Sequence, residues 1–343
     1  MVTIILTMLI STYPWPIRPF GSAHPVSATL GDARGNVADP RFHWGIDIPA
    51  DSGTKVYSIS SDTAYPVNAG VNSYVRVGNY WYIHITPCVD SGTYVLGILD
   101  TVNTPPDTIG KVLDYPPYGS TQGDHLHFQI GPVGGPFYNP LSYDGGPVDY
   151  DDTLKPIIST ITFWRRGSEG PTPQPLVGVL DGKVDIRARC QDRQTSGGAI
   201  NTSGIYKCQY IITDTVGNVV YNSDTTIRFP QVQPPNNGAP VLLVYDRHNY
   251  TAVSPFNYWV TNRIVNNQVI DWYWNTKQKI GEPDSVDAES LEVAKFKDGK
   301  YWVKVIAADI RNNADTDFEI PNTKPPRIRQ VAWRMAAQIL NSD

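Results

Sequence analysis

Asp124-His125-Leu126-His127-Phe128-Gln129-Ile130 alternates polar or ionisable side chains with apolar ones. Read as a β-strand, its residues two apart share a face, so the two imidazoles stand side by side on one wall. Leu126 and Phe128 then point the other way, into a core. Two histidines on one wall can hold a metal and leave one ring free to act on what the metal binds. The rest of the chain must supply the other ligands.

Outward from that stretch the same period of two recurs. Residues 55–59, 74–77 and 80–85 are short alternating runs separated by Asp, Gly and Asn turns, with no helical pattern between them. Such spacing predicts an antiparallel sheet or a partly open barrel rather than alternating β and α units. Beyond it, Asp144-Gly-Gly-Pro-Val-Asp-Tyr-Asp-Asp152 reads as a connector. Its acidic residues lack the alternating ligand pattern of a calcium loop, which favours a solvated linker over an ion site. Residues 157–164, 182–190 and 299–309 predict further strands, and Asp214-Thr-Val-Gly-Asn218 marks a hairpin between 206–213 and 219–221. This second set suits an immunoglobulin-like β-sandwich with a large insertion at about 230–290.

The expectation is therefore an all-β chain. Residues 1–18 form an apolar and then proline-rich lead-in, 19–146 a first domain, 147–156 a linker, 157–320 the sandwich, and 321–343 a tail. The apolar run at 2–10 reads either as a truncated export signal or as an ordinary first strand, since it lacks a basic start and a small-residue cleavage site. In the tail, residues 331–340 could form a short helix. No segment is long enough to be transmembrane.

A chain of 343 residues has material for about two cores. Its net charge of −5, with no Lys/Arg block, argues against nucleic acid or an anionic membrane as partner. The three cysteines lack zinc-knuckle or redox spacing. Cys190 and Cys208 fall on inward faces of predicted strands, either as buried free thiols or, in an exported protein, as a disulfide. The aromatic cluster Tyr258, Trp259, Trp272, Tyr273 and Trp274 reads as packing for the insertion rather than a sugar platform. The sequons at Asn201 and Asn249 matter only in a eukaryotic secretory pathway.

Six histidines occur in the chain. His43 precedes Asp47 by four residues in His43-Trp-Gly-Ile-Asp47, a separation that on a strand places both side chains on one face. His43, Asp47 and His127 would make three protein ligands, one of them anionic, which is the count for a catalytic zinc site with an open position. His84 lies in Trp81-Tyr-Ile-His-Ile85, where by itself a histidine reads more readily as a satisfied core residue. Asp124 could orient an imidazole, but adjacent side chains on a strand diverge, so it reads better as a loop-end aspartate. His24 and His248 have no partners at useful spacing.

Over about residues 26–143 the chain resembles the lysostaphin-like zinc endopeptidases, which cut peptide cross-links in bacterial peptidoglycan. The resemblance rests on Leu30-Gly-Asp-Ala-Arg34, Phe42-His-Trp-Gly-Ile-Asp-Ile48, Gly53-Thr-Lys-Val56, Tyr82-Ile-His84, Asp124-His-Leu-His-Phe-Gln-Ile130 and Asn139-Pro-Leu141. It implies that His43, Asp47 and His127 bind zinc, and that His84 and His125 flank the attacking water and the scissile carbonyl. It also implies an exported, periplasmic or envelope-associated bacterial protein acting on peptidoglycan peptides. The chain departs from the family pattern between His84 and Asp124, where Gly119-Ser-Thr-Gln-Gly123 carries one extra residue before the histidine pair. A non-catalytic cell-wall binding or regulatory module that keeps the fold is the alternative, because fold does not settle function.

Overall fold

The computed structural model describes residues 12–319 apart from 102, 116–122, 177–178, 181, 196–199, 234–236 and 277–298. The apolar run at 2–10, read as an export signal or a first strand, the end of the lead-up to the histidine pair, the helix at 331–340 and the tail therefore lie outside the described residues. The described chain is all-β, built from several antiparallel sheets with no closed barrel. No described helix is long and apolar enough to cross a membrane.

The main sheet of the first half is built around the strand His125–Ile130. Ile46–Pro49 pairs with the first part of this strand, setting His127 opposite Asp47, and Tyr80–Ile83 pairs with its second part, setting His127 opposite Ile83. Tyr74–Val77, Asp62–Val67 and Tyr94–Val95 extend the sheet outward. Alternation explains the burial: Leu126 and Phe128 are wholly buried in an apolar cluster with Ile46, Ile48, Tyr82 and Val75, while His125, His127 and Gln129 lie on the opposite face. A smaller sheet of Lys55–Tyr57, Thr108–Val112 and Ile85–Pro87 closes over this core.

The second half is sandwich-like. One sheet joins Ile157–Arg165, Lys183–Gln194 and Asn201–Ser203, with Phe256–Trp259 and Trp274–Asn275 also paired to the long central strand. The other joins Val219–Arg228, Lys207–Asp214, Tyr301–Ala308 and Ala314–Glu319. Val184, Ile186, Ala188 and Cys190 of the first share one core with Tyr210, Ile212, Val303 and Val305 of the second. Cys190 and Cys208 are buried and free, so the disulfide alternative fails. The aromatics of the insertion are packing, as expected: Tyr258, Trp259, Trp272, Tyr273 and Trp274 are all buried.

The two halves are continuous rather than strung apart. The hairpin of Ala33–Asn36 and Asp39–Phe42 sends Ala33 and Phe42, together with Leu30 just before it and Phe137, into the core of the second half. Phe137–Tyr138 pairs with Gln231–Val232, carrying the first sheet into the second half. Buried hydrogen bonds join the same elements, from Tyr245 Oη to Gly31 O at 2.6 Å and from Gly204 N to Asp32 Oδ1 at 2.9 Å.

The acidic stretch 149–152 is not a solvated connector throughout. Asp152 is buried and meets Asp192 and Asp309, their carboxylate oxygens lying within 4.8 Å of one another, close enough to share a cation. Its partners stand far away in sequence, so the stretch alone could not reveal them. Burial, and then repulsion from Asp309, pushes the Asp152 carboxyl up to about 7, and Asp192 and Asp309 are raised as well. A carboxyl raised on folding favours the folded state while it is protonated, and that contribution is lost as pH climbs from the unfolded value near 4 through about 7. In chelator-treated buffer, Asp152→Asn is therefore expected to flatten the fall in Tm between pH 5 and pH 8. A variant whose Tm falls as steeply as the parent's would contradict this.

Candidate metal centre

Three ligand-type atoms converge at one end of the central strand. His43 Nε2 lies 3.0 Å from Asp47 Oδ1 and 2.8 Å from His127 Nδ1, and His127 Nδ1 lies 2.9 Å from Asp47 Oδ1. All three residues are buried. His43 is not on the strand that its spacing to Asp47 predicts. It falls between Asp39–Phe42 and Ile46–Pro49, and the chain bends at Gly45 to bring the two side chains together. Gly45 is needed there for space, since a Cβ would stand 2.3 Å from Phe128 O and 2.9 Å from His127 Nε2. Backbone cannot yield as a flexible side chain can. Gly45→Ala is expected to displace His43 and lower metal affinity by roughly the 10–100-fold seen when a ligand's support is lost, a loss that titration with a divalent ion would measure.

The protonation pattern tests whether a cation fits. His43 Nδ1 is 2.9 Å from Thr29 O, which can only accept, so that nitrogen carries the proton and Nε2 presents a lone pair. Burial, and then the Arg34 guanidinium, push His43 down to about 3, which keeps the ring neutral at ordinary pH. Burial would raise the Asp47 carboxyl, but the imidazoles gathered around it outweigh that and hold it well below the usual range. The 3.0 Å contact between His43 Nε2 and Asp47 Oδ1 thus sets lone pair against lone pair, whichever nitrogen of His127 is protonated. Two nitrogens and one carboxylate oxygen in that arrangement fit a divalent cation of borderline hardness.

Arg34 holds the other side of Asp47. Its guanidinium donates to Oδ2 at 3.1 Å, leaving Oδ1 for the site. This is the carboxylate support that commonly accompanies a metal ligand. The stretch Leu30-Gly-Asp-Ala-Arg34 is visible in the sequence, but the pairing of Arg34 with Asp47 needs the hairpin that folds it back.

The remaining two histidines stand beside the triad. His125 Nδ1 is 2.9 Å from Gly123 O and therefore protonated, and its Nε2 lies 3.8 Å from Asp47 Oδ1. His84 donates from Nδ1 to Val71 O at 2.5 Å, and its ring centroid is 4.8 Å from that of His125 and 6.0 Å from that of His127. Burial, and then the neighbouring His127, push His84 down to about 4, so it is neutral and able to accept a proton. The expected continuous strand through His84 is broken. His84 adopts a left-handed backbone (φ 63°) between Tyr80–Ile83 and Ile85–Pro87, and both His84 N and Ile85 N donate to Ser73 O. This bulge costs about 1–2 kcal/mol for a residue with a Cβ and re-aims the side chain out of the alternation.

Tyr115 completes the wall. Its ring centroid lies 4.8 Å from His84 and 5.0 Å from His125. Asp124 contacts no imidazole in the described structure. Its carboxylate accepts from Tyr115 N at 2.8 Å and Ser52 N at 3.1 Å, pinning two loops at the rim, which agrees with the loop-end reading. Nothing in the sequence around Tyr115 marks it, because only Asp124 and the fold bring it to the pair. His24 and His248 stand apart, each bonded to backbone carbonyls.

No protein-family model matches the chain, and no curated protein matches it.

Proposed function

We propose that this chain is a zinc-dependent endopeptidase that hydrolyses peptide cross-links of bacterial peptidoglycan, working outside the cytoplasm in the cell envelope. The observation that carries the reading is the three-atom cluster of His43 Nε2, Asp47 Oδ1 and His127 Nδ1 with two further imidazoles beside it. Three protein ligands including one carboxylate, with no cysteine, match the catalytic rather than the structural class of zinc site. Zinc held there would supply Lewis-acid polarisation of the peptide carbonyl and an acidified water.

This chain's own residues handle the proton and the charge. The contact of His125 Nδ1 with Gly123 O fixes the tautomer in which Nε2, turned to the site, is the acceptor, so Nε2 can take a proton from water and return it to the leaving amine. His84, similarly fixed through Val71 O, serves as the second acceptor or, once protonated, donates to the developing oxyanion. Arg34 keeps Asp47 oriented and anionic. Tyr115 restricts the two working rings to one face.

The test is digestion of purified sacculi by protein containing about one zinc per chain, with the released muropeptides identified. New amino termini within the cross-links, lost on chelation and restored by zinc, are expected. Zinc-loaded protein that binds sacculi without releasing fragments would instead support a binding or regulatory module.

A further inference from the structure

The turn at residues 29–32 stands between the candidate metal centre and the sandwich-like half, and it is bonded to both. On one side it carries His43. Thr29 O lies 2.9 Å from His43 Nδ1, Asp32 O accepts from His43 N at 2.8 Å, and Gly31 N donates to His43 O at 2.9 Å. The ring and the main chain of this ligand are thus fixed by the same few residues.

On its other side the turn is gripped by the second half. Tyr245 Oη donates to Gly31 O at 2.6 Å, and the Phe229 ring lies so close to Gly31 that a Cβ there would stand 2.4 Å from Phe229 Cδ1. Asp32 is the node. Its buried Oδ1 accepts from Gly204 N at 2.9 Å and from the Thr29 hydroxyl at 3.1 Å, while Oδ2 accepts from Thr29 N at 3.1 Å. One side chain therefore joins Gly204, just beyond the strand Asn201–Ser203, to the residue whose carbonyl orients His43. Each of these partners is a donor in a buried place, so losing the acceptor would strand donors at a cost and let the turn move.

A second path reaches Asp47. Arg34 donates to Asp47 Oδ2 at 3.1 Å, and Arg34 is itself held by Tyr250 Oη, which donates to Arg34 O at 2.7 Å, and by Ala252 O, which accepts from its guanidinium at 3.4 Å. Tyr250 and Ala252 belong to the second half. The imidazole of His43 and the carboxylate of Asp47 are thus set from the sandwich-like half, whereas His127 sits on the central strand between Ile46–Pro49 and Tyr80–Ile83.

We propose that the sandwich-like half sets the metal affinity of the centre: Asp32 is the positioning residue through which it fixes His43, and Tyr250 the one through which it fixes Arg34 and so Asp47. Groups that orient a ligand from behind govern how well it meets the metal. This rests on the zinc-centre part of the reading above, and it gives the second half a part in building the centre rather than a separate targeting role.

The test is competitive titration of zinc against a chromophoric chelator in the full-length parent, Asp32→Asn and Tyr250→Phe, with the absorption spectrum of the cobalt-loaded proteins as a second readout. Asp32→Asn keeps the side-chain volume but turns an amide NH2 against Thr29 N or Gly204 N. It is expected to weaken zinc binding by roughly 10–100-fold and to shift the cobalt d–d bands as His43 turns. Tyr250→Phe removes one hydroxyl from a half-buried ring and is expected to weaken binding by roughly two- to tenfold. A residue serving only the fold would lower the Tm of the metal-free protein and leave the affinity and cobalt spectrum of the folded protein unchanged. If Asp32→Asn fails to fold, Tyr250→Phe decides. Parent-like affinity and spectrum in the folded variants, beside a parent that binds zinc, overturn the role of the second half and leave the metal centre standing. A folded parent that binds no zinc overturns both.

Discussion

Replacing His127 with alanine is expected to empty the metal centre: zinc content should fall from about one per chain to roughly a tenth of that or less, and peptide hydrolysis should fall with it. His127 Nδ1 is the one atom that contacts both other ligand atoms from the central strand, at 2.8 Å from His43 Nε2 and 2.9 Å from Asp47 Oδ1. Without it two ligands remain, fewer than the three protein ligands of catalytic zinc sites. The fold should survive, because the side chain lies on the face opposite Leu126 and Phe128, which fill the core. Metal analysis after dialysis, with circular dichroism to confirm folding, measures both. Retention of a full equivalent of zinc would remove His127 from the ligand set.

His125→Ala should behave differently although it lies two residues away on the same face. Here zinc should stay at about one per chain while hydrolysis drops by roughly 10²–10⁴-fold, the scale of general acid–base assistance. The distinction rests on geometry: His125 Nε2 stands 3.8 Å from Asp47 Oδ1, against 2.9 Å for His127 Nδ1. Cleavage at the parent rate would take His125 out of the chemistry. Loss of zinc would make it a ligand instead. Because the two imidazoles share a strand face and differ by one residue pair, this comparison separates binding from proton handling within a nearly constant environment.

Much of this was legible in the one-dimensional pattern. Alternation in His125-Leu-His-Phe128 predicts which side chains meet in the core, and Leu126 and Phe128 do so with no exposed area. The short runs bounded by Asn, Asp and Gly predict antiparallel sheets, which the described chain has. These features are local: a period of two follows from the geometry of one strand, whatever lies across from it.

What sequence spacing could not supply was every arrangement that depends on a partner distant in the chain. His43 and Asp47 meet through a bend at Gly45 packed against Phe128, not through a shared strand face. His84 reaches the site by a bulge over Ser73 that interrupts the very alternation used to find its strand. Asp152 reads as part of a solvated connector until Asp192 and Asp309 are brought to it. The physical reason is common to all three. Identity and periodicity specify which way a side chain leaves its own backbone, whereas burial, lone-pair crowding and an unmet hydrogen bond are properties of the space between two backbones, and that space exists only after the chain has folded.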